Sequence, residues 1–92
     1  MIGEYVLVRT RSAGVHMGTL KESHGTAVLL GNARRLWSWK GANTLHEISL
    51  HGVGSGSKIS EAVPRILLTE AIEIIPISPD ARINLDRDGV WS

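Results

Sequence analysis

The sequence predicts an α+β domain rich in β-structure: a small antiparallel sheet or an SH3-like, partly open barrel with one or two short helices. Short runs of β-forming residues separated by glycine turns fill the first forty residues, a pattern typical of an antiparallel meander. Such a sheet must curl or pack on another element to cover its edges. A chain of 92 residues that is 42% hydrophobic is expected to form a single domain over its whole length, 1–92.

Four strands are expected in this first part of the chain. Residues 12–14 predict a turn between the first and second strands, and residues 23–25 predict the next turn. Gly31 and Asn32 are expected to end the third strand before an extended pattern resumes. The expected strands span residues 4–10, 14–22, 26–30 and 33–40.

A short helix is expected next. Thr44 followed by Glu47 fits a capping box, in which the threonine hydroxyl and the glutamate each satisfy an amide at the start of a helix. Leu45 and Ile48 are three residues apart and share one face. Gly52 is expected to end the segment.

The next part of the sequence predicts a loop and two extended segments. Residues 52–58 are expected to form a flexible loop, because their glycine spacing fits neither the phosphate-loop nor the dinucleotide motif. Residues 59–68 are expected to be irregular, or a short strand broken at Pro64. Residues 71–75 predict a further strand.

Ser78 and Pro79 have the composition of a helix start, with proline in the first turn. The polar tail, 86–92, is expected to fray. Val90 and Trp91 are apolar enough to dock on a neighbouring surface.

The composition excludes several classes of protein. The sequence has no cysteine, which excludes a disulfide framework, a thiolate nucleophile and a cysteine-ligated zinc site. No apolar run approaches the roughly eighteen residues that span a bilayer, and Met1 leads into strand-like sequence rather than a signal peptide. A cytoplasmic protein without a membrane partner is therefore expected.

The net charge of +1 conceals an asymmetry. Residues 1–42 carry six basic and two acidic residues, whereas residues 43–92 carry four basic and seven acidic residues. The basic half can face an anionic ligand, or the two halves can attract each other within or between chains. A protein that binds duplex DNA usually has a larger positive excess, which weakens that class.

The segment 33–40 is the most informative for function. In a strand, Arg35, Trp37 and Trp39 lie on one face, while Arg34 and Lys40 lie on the other. Two indoles beside a guanidinium form a surface on which a purine can stack, with a cation near its phosphate. Because the chain has few aromatic residues, the competing interpretation places at least one of these indoles in the core.

A second cluster of cationic and titratable residues flanks the first predicted turn. Arg9, Arg11 and His16 are close in sequence around the small residues 12–14. Small residues let backbone amides approach a ligand, and arginine donors match phosphate oxygens. The competing interpretation is a solvated hairpin end, with His16 a half-buried histidine rather than a catalytic base.

Nothing in the sequence indicates catalysis. The four histidines do not have the spacing of a metal site, and Glu70 and Glu73 would face opposite sides of a strand. No serine lies in a nucleophile elbow. A protein that is not an enzyme, with no metal and no cofactor, is expected.

Several segments resemble a family of small phage and prophage proteins, the Thoeris anti-defence proteins of the second type. The segments that carry the resemblance are Arg9-Thr10, Ser12-Ala13-Gly14-Val15-His16, Gly18-Thr19-Leu20, Ala33-Arg34-Arg35-x-Trp37-x-Trp39-Lys40-Gly41-Ala42, Thr44-Leu45 and Leu68-Thr69-Glu70-Ala71-Ile72-Glu73-Ile74-Ile75-Pro76. The similarity covers roughly residues 5 to 77. This chain has Arg11 where members often have an aromatic residue, and Ser38 where a ring is common.

The resemblance implies a counter-defence sponge: a homo-oligomer in the host cytoplasm that captures a cyclic ADP-ribose-type or cyclic nucleotide immune signal without cleaving it. Under this hypothesis arginines hold the phosphates, an indole stacks on the base, and His16 or Lys40 supplies a polar edge. The candidate ligand-binding residues are Arg9, Arg11, His16, Arg34, Arg35, Trp37, Trp39 and Lys40. Alternatives are a small module of phage origin that binds nucleic acid or a host protein, and a structural protein of the virion.

Overall fold

The computed structural model describes residues 1–88, which form six strands and two helices. The elements are β1 (Tyr5–Thr10), β2 (Val15–His24), β3 (Ala27–Ser38), α1 (Leu45–His51), β4 (Lys58–Ile59), β5 (Val63–Leu68), β6 (Ala71–Pro76) and α2 (Pro79–Asp88). All pairings are antiparallel, in the order β4-β3-β2-β1-β6, and β5 also pairs with β3. This arrangement confirms the predicted β-rich α+β class.

The sheet curls into a partly open barrel. Strands β4 and β5, which both pair with β3, form one edge of the sheet, and β6 forms the other. Strands β5 and β6 follow one another through residues 69–70 without pairing. The barrel encloses an apolar core to which β1, β2, β3, β5 and β6 all contribute. Its buried members are Val6, Val8, Leu20, Val28, Leu30, Ala33 and Leu68.

A second apolar core lies on the other face of the sheet, under the two helices. Leu7, Met17 and Leu36 of the sheet pack there with Ile48 of α1 and Leu85 of α2. Strand β1 contributes alternate residues to the two cores, so it is buried on both faces and forms the centre of the molecule.

Gly31 and Asn32 do not end a strand, contrary to the expectation from sequence. They lie within the continuous strand β3, and Met17 pairs with Arg34 while Thr19 pairs with Gly31. One extra residue on β3 is therefore accommodated as a bulge. Asn32 has a φ of +48°, a conformation that asparagine tolerates better than most residues, and this lets the strand bend and continue.

Pro64 does not break a strand, although the sequence predicts that residues 59–68 are irregular or a short strand broken there. Pro64 lies inside β5, at the edge of the sheet, where a missing amide hydrogen removes no ladder bond. The interruption falls instead at residues 60–62, between β4 and β5. There the Arg35 amide donates to Ser60 Oγ at 2.8 Å, and the Ser60 amide donates to the Arg35 carbonyl at 2.9 Å.

Helix α1 begins and ends where the sequence predicts. The Thr44 hydroxyl accepts a hydrogen bond from the Glu47 amide at 3.2 Å, and Gly52 closes the helix with a φ of +83°. Ile48 is buried. The Glu47 carboxylate accepts from the Asn43 amide rather than from that of Thr44.

The segment 52–58 differs from the flexible loop that its composition suggests. Val53 is buried, and the side-chain amide of Asn84 in α2 bonds both the amide and the carbonyl of Val53, at 2.7 and 3.0 Å. The Gly54 amide donates to the Lys40 carbonyl at 2.7 Å. Backbone contacts therefore anchor this segment between α2 and the end of β3.

Helix α2 confirms the predicted start at Ser78 and Pro79. The Ser78 hydroxyl accepts from the Ala81 amide at 3.0 Å, and proline occupies the first helical position. Of the tail expected to fray, residues 86–88 belong to α2 and the rest lie outside the described residues. The suggested docking of Val90 and Trp91 also lies outside them.

Candidate functional site

The turn between β1 and β2 is held by its own hydrogen bonds. The Thr10 hydroxyl donates to the Gly14 carbonyl at 2.8 Å and accepts from the Ala13 amide at 2.9 Å. The Thr10 amide also donates to the Gly14 carbonyl, and Gly14 has a φ of +83°. The turn therefore presents a fixed carbonyl, that of Ala13, at the end of the barrel.

Two side chains converge on the Ala13 carbonyl. Arg35 Nη2 donates to it at 2.8 Å, and His16 Nε2 lies 2.9 Å from it. His16 and Arg35 are direct partners in the pairing of β2 with β3. This shared acceptor fixes the guanidinium of Arg35 against the first turn.

His16 is buried, with 2% of its surface exposed. Burial lowers its pKa below the ordinary value of 6.5, and the nearby Arg35 lowers it further, while the bond to the Ala13 carbonyl acts in the opposite direction. At neutral pH the imidazole is therefore uncharged and donates Nε2–H to that carbonyl. Its role in the site is to support the turn and Arg35.

The first turn and the end of β3 enclose an open hollow of about 440 Å³, which we call the Trp37 hollow. Arg35, Trp37 and Trp39 line it together with the first turn. The full lining is Ser12, Ala13, Gly14, Val15, Arg35, Leu36, Trp37 and Trp39. The predicted association of the indoles with an arginine and the first turn is therefore present in the structure.

The two indoles of this hollow have different environments. Trp37 is 50% exposed, and the Lys58 ammonium lies 5.4 Å from the centre of its ring. Trp39 follows the last residue of β3 and packs partly against the core beneath the helices. Trp37 therefore offers a solvent-facing ring with a cation beside it, whereas Trp39 is both a wall of the hollow and a packing residue.

A second hollow of about 390 Å³, which we call the Arg9 hollow, adjoins the first. It is lined by Arg9, Val15, Trp39, Asn43, Thr44, Leu45, His46 and Glu73. Val15 and Trp39 line both hollows. Arg9 and Glu73 are cross-strand partners, and Arg9 Nε lies 3.0 Å from Glu73 Oε1.

Four of the residues predicted from sequence line neither hollow. One is His16, which is buried beside the first turn; the others are Arg34, Arg11 and Lys40. Arg34 points to the helix side, where only 10% of its side chain is exposed; it donates to the carbonyls of Ser60 and Leu85 and pairs with Asp86. The Arg11 amide donates to the Glu70 carbonyl, and Arg11 lines a separate hollow of about 170 Å³ beside β6. The Lys40 side chain lies along Gly56.

Sequence reasoning missed Lys58 and Glu73 as neighbours of the predicted residues. Lys58 reaches Trp37 only because the two-residue strand β4 pairs with the end of β3. Glu73 reaches Arg9 through the register of β1 with β6. Neither pairing has a local signal in the sequence. The placement of Arg34 and Arg35 on opposite faces of the strand, in contrast, agrees with the prediction.

The described part of the chain contains no group of three histidine, aspartate or glutamate side chains able to hold a metal ion. Within residues 1–88, no helix has both the length and the apolar character needed to cross a bilayer.

The model of a domain of unknown function, DUF6948, matches residues 3–85. No curated protein matches the chain in sequence. Among solved structures, a heptameric archaeal Sm protein is similar in fold, with a TM-score of 0.55 and 18% identity over 84% of this chain and 90% of that chain.

Proposed function

The chain belongs to the DUF6948 family, and we propose that it binds and sequesters a small anionic nucleotide signal without cleaving it. The observation that carries the proposal is the Trp37 hollow, where a fixed guanidinium and two indoles share one concave surface. Indole faces stack on purine bases, and a guanidinium matches phosphate oxygens with parallel donors. The ligand class is a cyclic ADP-ribose-type or cyclic nucleotide immune signal.

The distribution of charge supports a small ligand over a polymer. Arg34 and Arg9 are ion-paired with Asp86 and Glu73, so they do not extend a continuous basic stripe from Arg35. A hollow of a few hundred Å³ has the size of pockets that hold small molecules. The counter-defence role rests on the sequence resemblance to phage sponges.

We propose further that the working form is a homo-oligomer. Within residues 1–88, β5 and β6 each leave one edge unpaired, and exposed apolar side chains lie on these strands: Val63, Leu67 and Ile72. Such edges are templates for pairing with another chain. The similar archaeal Sm protein is a heptamer. Light scattering that reports a monomer at micromolar concentration would overturn this part of the proposal.

The test is depletion followed by release. Purified protein is mixed with a panel of cyclic ADP-ribose isomers and cyclic nucleotides, filtered, and then heated. We expect the filtrate to lose one member of the panel and heating to return it intact, as chromatography reports. Depletion of none, or return of a cleaved product, would overturn the proposal.

A matched pair of variants locates the binding. R35A removes the cation of the hollow, and we expect it to lose most of the depletion. K21A removes the same charge from β2, about 20 Å along that strand from Val15, and should deplete the ligand as the wild type does. If R35A depletes the ligand as fully as K21A and the wild type do, the Trp37 hollow is excluded as the site.

The second candidate function is binding of single-stranded nucleic acid. The observation that favours it is Trp37, which is half exposed and has Lys58 beside its ring. Phosphate-dominated binding weakens steeply with salt. Oligonucleotide affinity that falls between 50 and about 200 mM salt would favour this function, whereas no oligonucleotide binding together with nucleotide depletion favours the sponge.

A further inference from the structure

The Trp37 and Arg9 hollows are adjoining parts of one surface, because Trp39 and Val15 line both. A molecule that occupies the Trp37 hollow therefore has a second concave region beyond the Trp39 indole. The polar groups there differ from those around Trp37. The Arg9 hollow has a guanidinium paired with a carboxylate, whereas Arg35 of the Trp37 hollow donates to a backbone carbonyl. A purine that stacks on the indoles and turns its hydrogen-bonding edge toward Arg9 and Glu73 uses both hollows.

The register of the sheet fixes a donor beside an acceptor in the Arg9 hollow. Arg9 of β1 and Glu73 of β6 are direct partners, and their side chains meet at 3.0 Å. Their side chains are 50% and 38% exposed, so both remain accessible from the hollow. The contact uses Nε of Arg9, and a guanidinium carries two further amino groups. A carboxylate likewise accepts more than one hydrogen bond.

We propose that the Arg9 hollow reads guanine, so that the sequestered nucleotide carries a guanine base. This inference rests on the proposed function and, within its ligand class, selects a guanine-bearing cyclic nucleotide over a cyclic ADP-ribose-type signal, whose base is adenine. Guanine presents two adjacent donors, N1–H and the N2 amino group, next to the O6 acceptor. The Glu73 carboxylate accepts from the two donors, and the Arg9 guanidinium donates to O6.

Adenine does not fit the same pair. At the equivalent positions adenine presents the N1 lone pair and the N6 amino group, so the carboxylate faces an acceptor and the guanidinium faces a donor. A site built to hydrogen-bond one ligand rejects an analogue that leaves its polar groups unpaired. A good bidentate contact discriminates between bases by roughly 10- to 100-fold.

The experiment measures the affinity of the wild-type protein for 3′,5′-cyclic GMP, cyclic IMP and cyclic AMP by calorimetry. These nucleotides differ only in the base. We expect cyclic GMP to bind roughly 10- to 100-fold more tightly than cyclic AMP. Cyclic IMP keeps N1–H and O6 but lacks the N2 amino group, and should fall between the two.

The variant E73Q then tests the assignment to Glu73. Its amide can pair with adenine as well as with guanine, so we expect the preference for cyclic GMP to fall to the part that Arg9 supplies through O6. E22Q removes the same charge from the far end of β2, where Glu22 contacts His24, and should keep the preference.

The outcomes separate this inference from the proposed function. Equal binding of cyclic GMP and cyclic AMP to the wild type would overturn guanine reading while leaving nucleotide binding intact. A guanine preference that persists undiminished in folded E73Q would overturn the role of Glu73. Binding of none of the three nucleotides would overturn guanine reading, whereas the proposed function would fall only if the cyclic ADP-ribose isomers were also left undepleted.

Discussion

Replacement of Trp37 by alanine separates a binding role of its indole from a packing role. Trp37 is 50% exposed and lines the hollow, whereas Trp39 packs partly against the core beneath the helices. Stacking of a base on an aromatic side chain contributes roughly 1–3 kcal/mol. If that contact is lost, the affinity for the nucleotide should fall by about 5- to 150-fold.

The cost of W37A to stability should be small. The substitution removes a cation–π contact with Lys58, worth about 0.5–1 kcal/mol at an exposed site, and leaves no buried cavity. We expect the free energy of unfolding to fall by about 1 kcal/mol or less. W39A, in contrast, opens a gap beside the core and should cost about 2–3 kcal/mol, below the full value for a buried tryptophan.

Calorimetric titration with the depleted nucleotide and urea unfolding of the same preparations check both numbers. I83A, which truncates a residue of α2 that is 61% exposed, serves as a control and should change neither quantity appreciably. If W37A binds the nucleotide with wild-type affinity, Trp37 does not stack on the base. A loss of several kcal/mol of stability would also contradict the prediction, because Trp37 would then be a packing residue.

Three further predictions concern the scaffold. In G18A the new Cβ lies 2.8 Å from the Gly31 carbonyl oxygen, so urea unfolding should show a loss of about 1–3 kcal/mol; unchanged stability would contradict this close approach. Because the folded pKa of His16 is lowered, the unfolded chain binds more protons below about pH 6.5. The free energy of unfolding should therefore decrease as the pH falls from 7.5 to 5.5, and H16Q should show a smaller decrease. An equal decrease in H16Q would contradict the lowered pKa of folded His16. R34A removes the donor to the Ser60 and Leu85 carbonyls, and thermal unfolding should show a loss of about 1–3 kcal/mol, whereas a wild-type melting temperature would contradict this role.

Local signals in the sequence predict the elements that local chemistry determines. Thr44 caps α1, and Ser78 with Pro79 starts α2, because these residues satisfy amides within a few positions of themselves. The alternation of Arg34 and Arg35 follows from the two-residue period of a strand. These features depend on short stretches of chain.

The features that the sequence did not predict depend on distant partners. The sequence predicts that Asn32 ends a strand. However, β2 and β5 pair with the chain on both sides of Asn32, so β3 continues through a bulge. Pro64 is tolerated because β5 is an edge strand, which only the sheet order reveals. Composition likewise gave no sign that Asn84 of α2 anchors Val53.

The candidate site shows the same division. Arg35, Trp37 and Trp39 form a pattern within five residues, and their proximity to the first turn follows from the meander. The contact of Arg9 with Glu73 joins residues 64 positions apart through strand register. Arg11 adjoins the first turn in sequence, yet its amide donates to the Glu70 carbonyl and the residue lines a separate hollow beside β6.

The most direct test of nucleotide binding at the Trp37 hollow is a titration of ¹⁵N-labelled protein with the depleted nucleotide, followed by NMR. The backbone amides of Ala13 and Gly14 and the indole N–H signals of Trp37 and Trp39 should shift together and saturate at a single affinity. Shifts confined to the edges at β5 and β6, with these four signals unmoved, would contradict binding in the hollow.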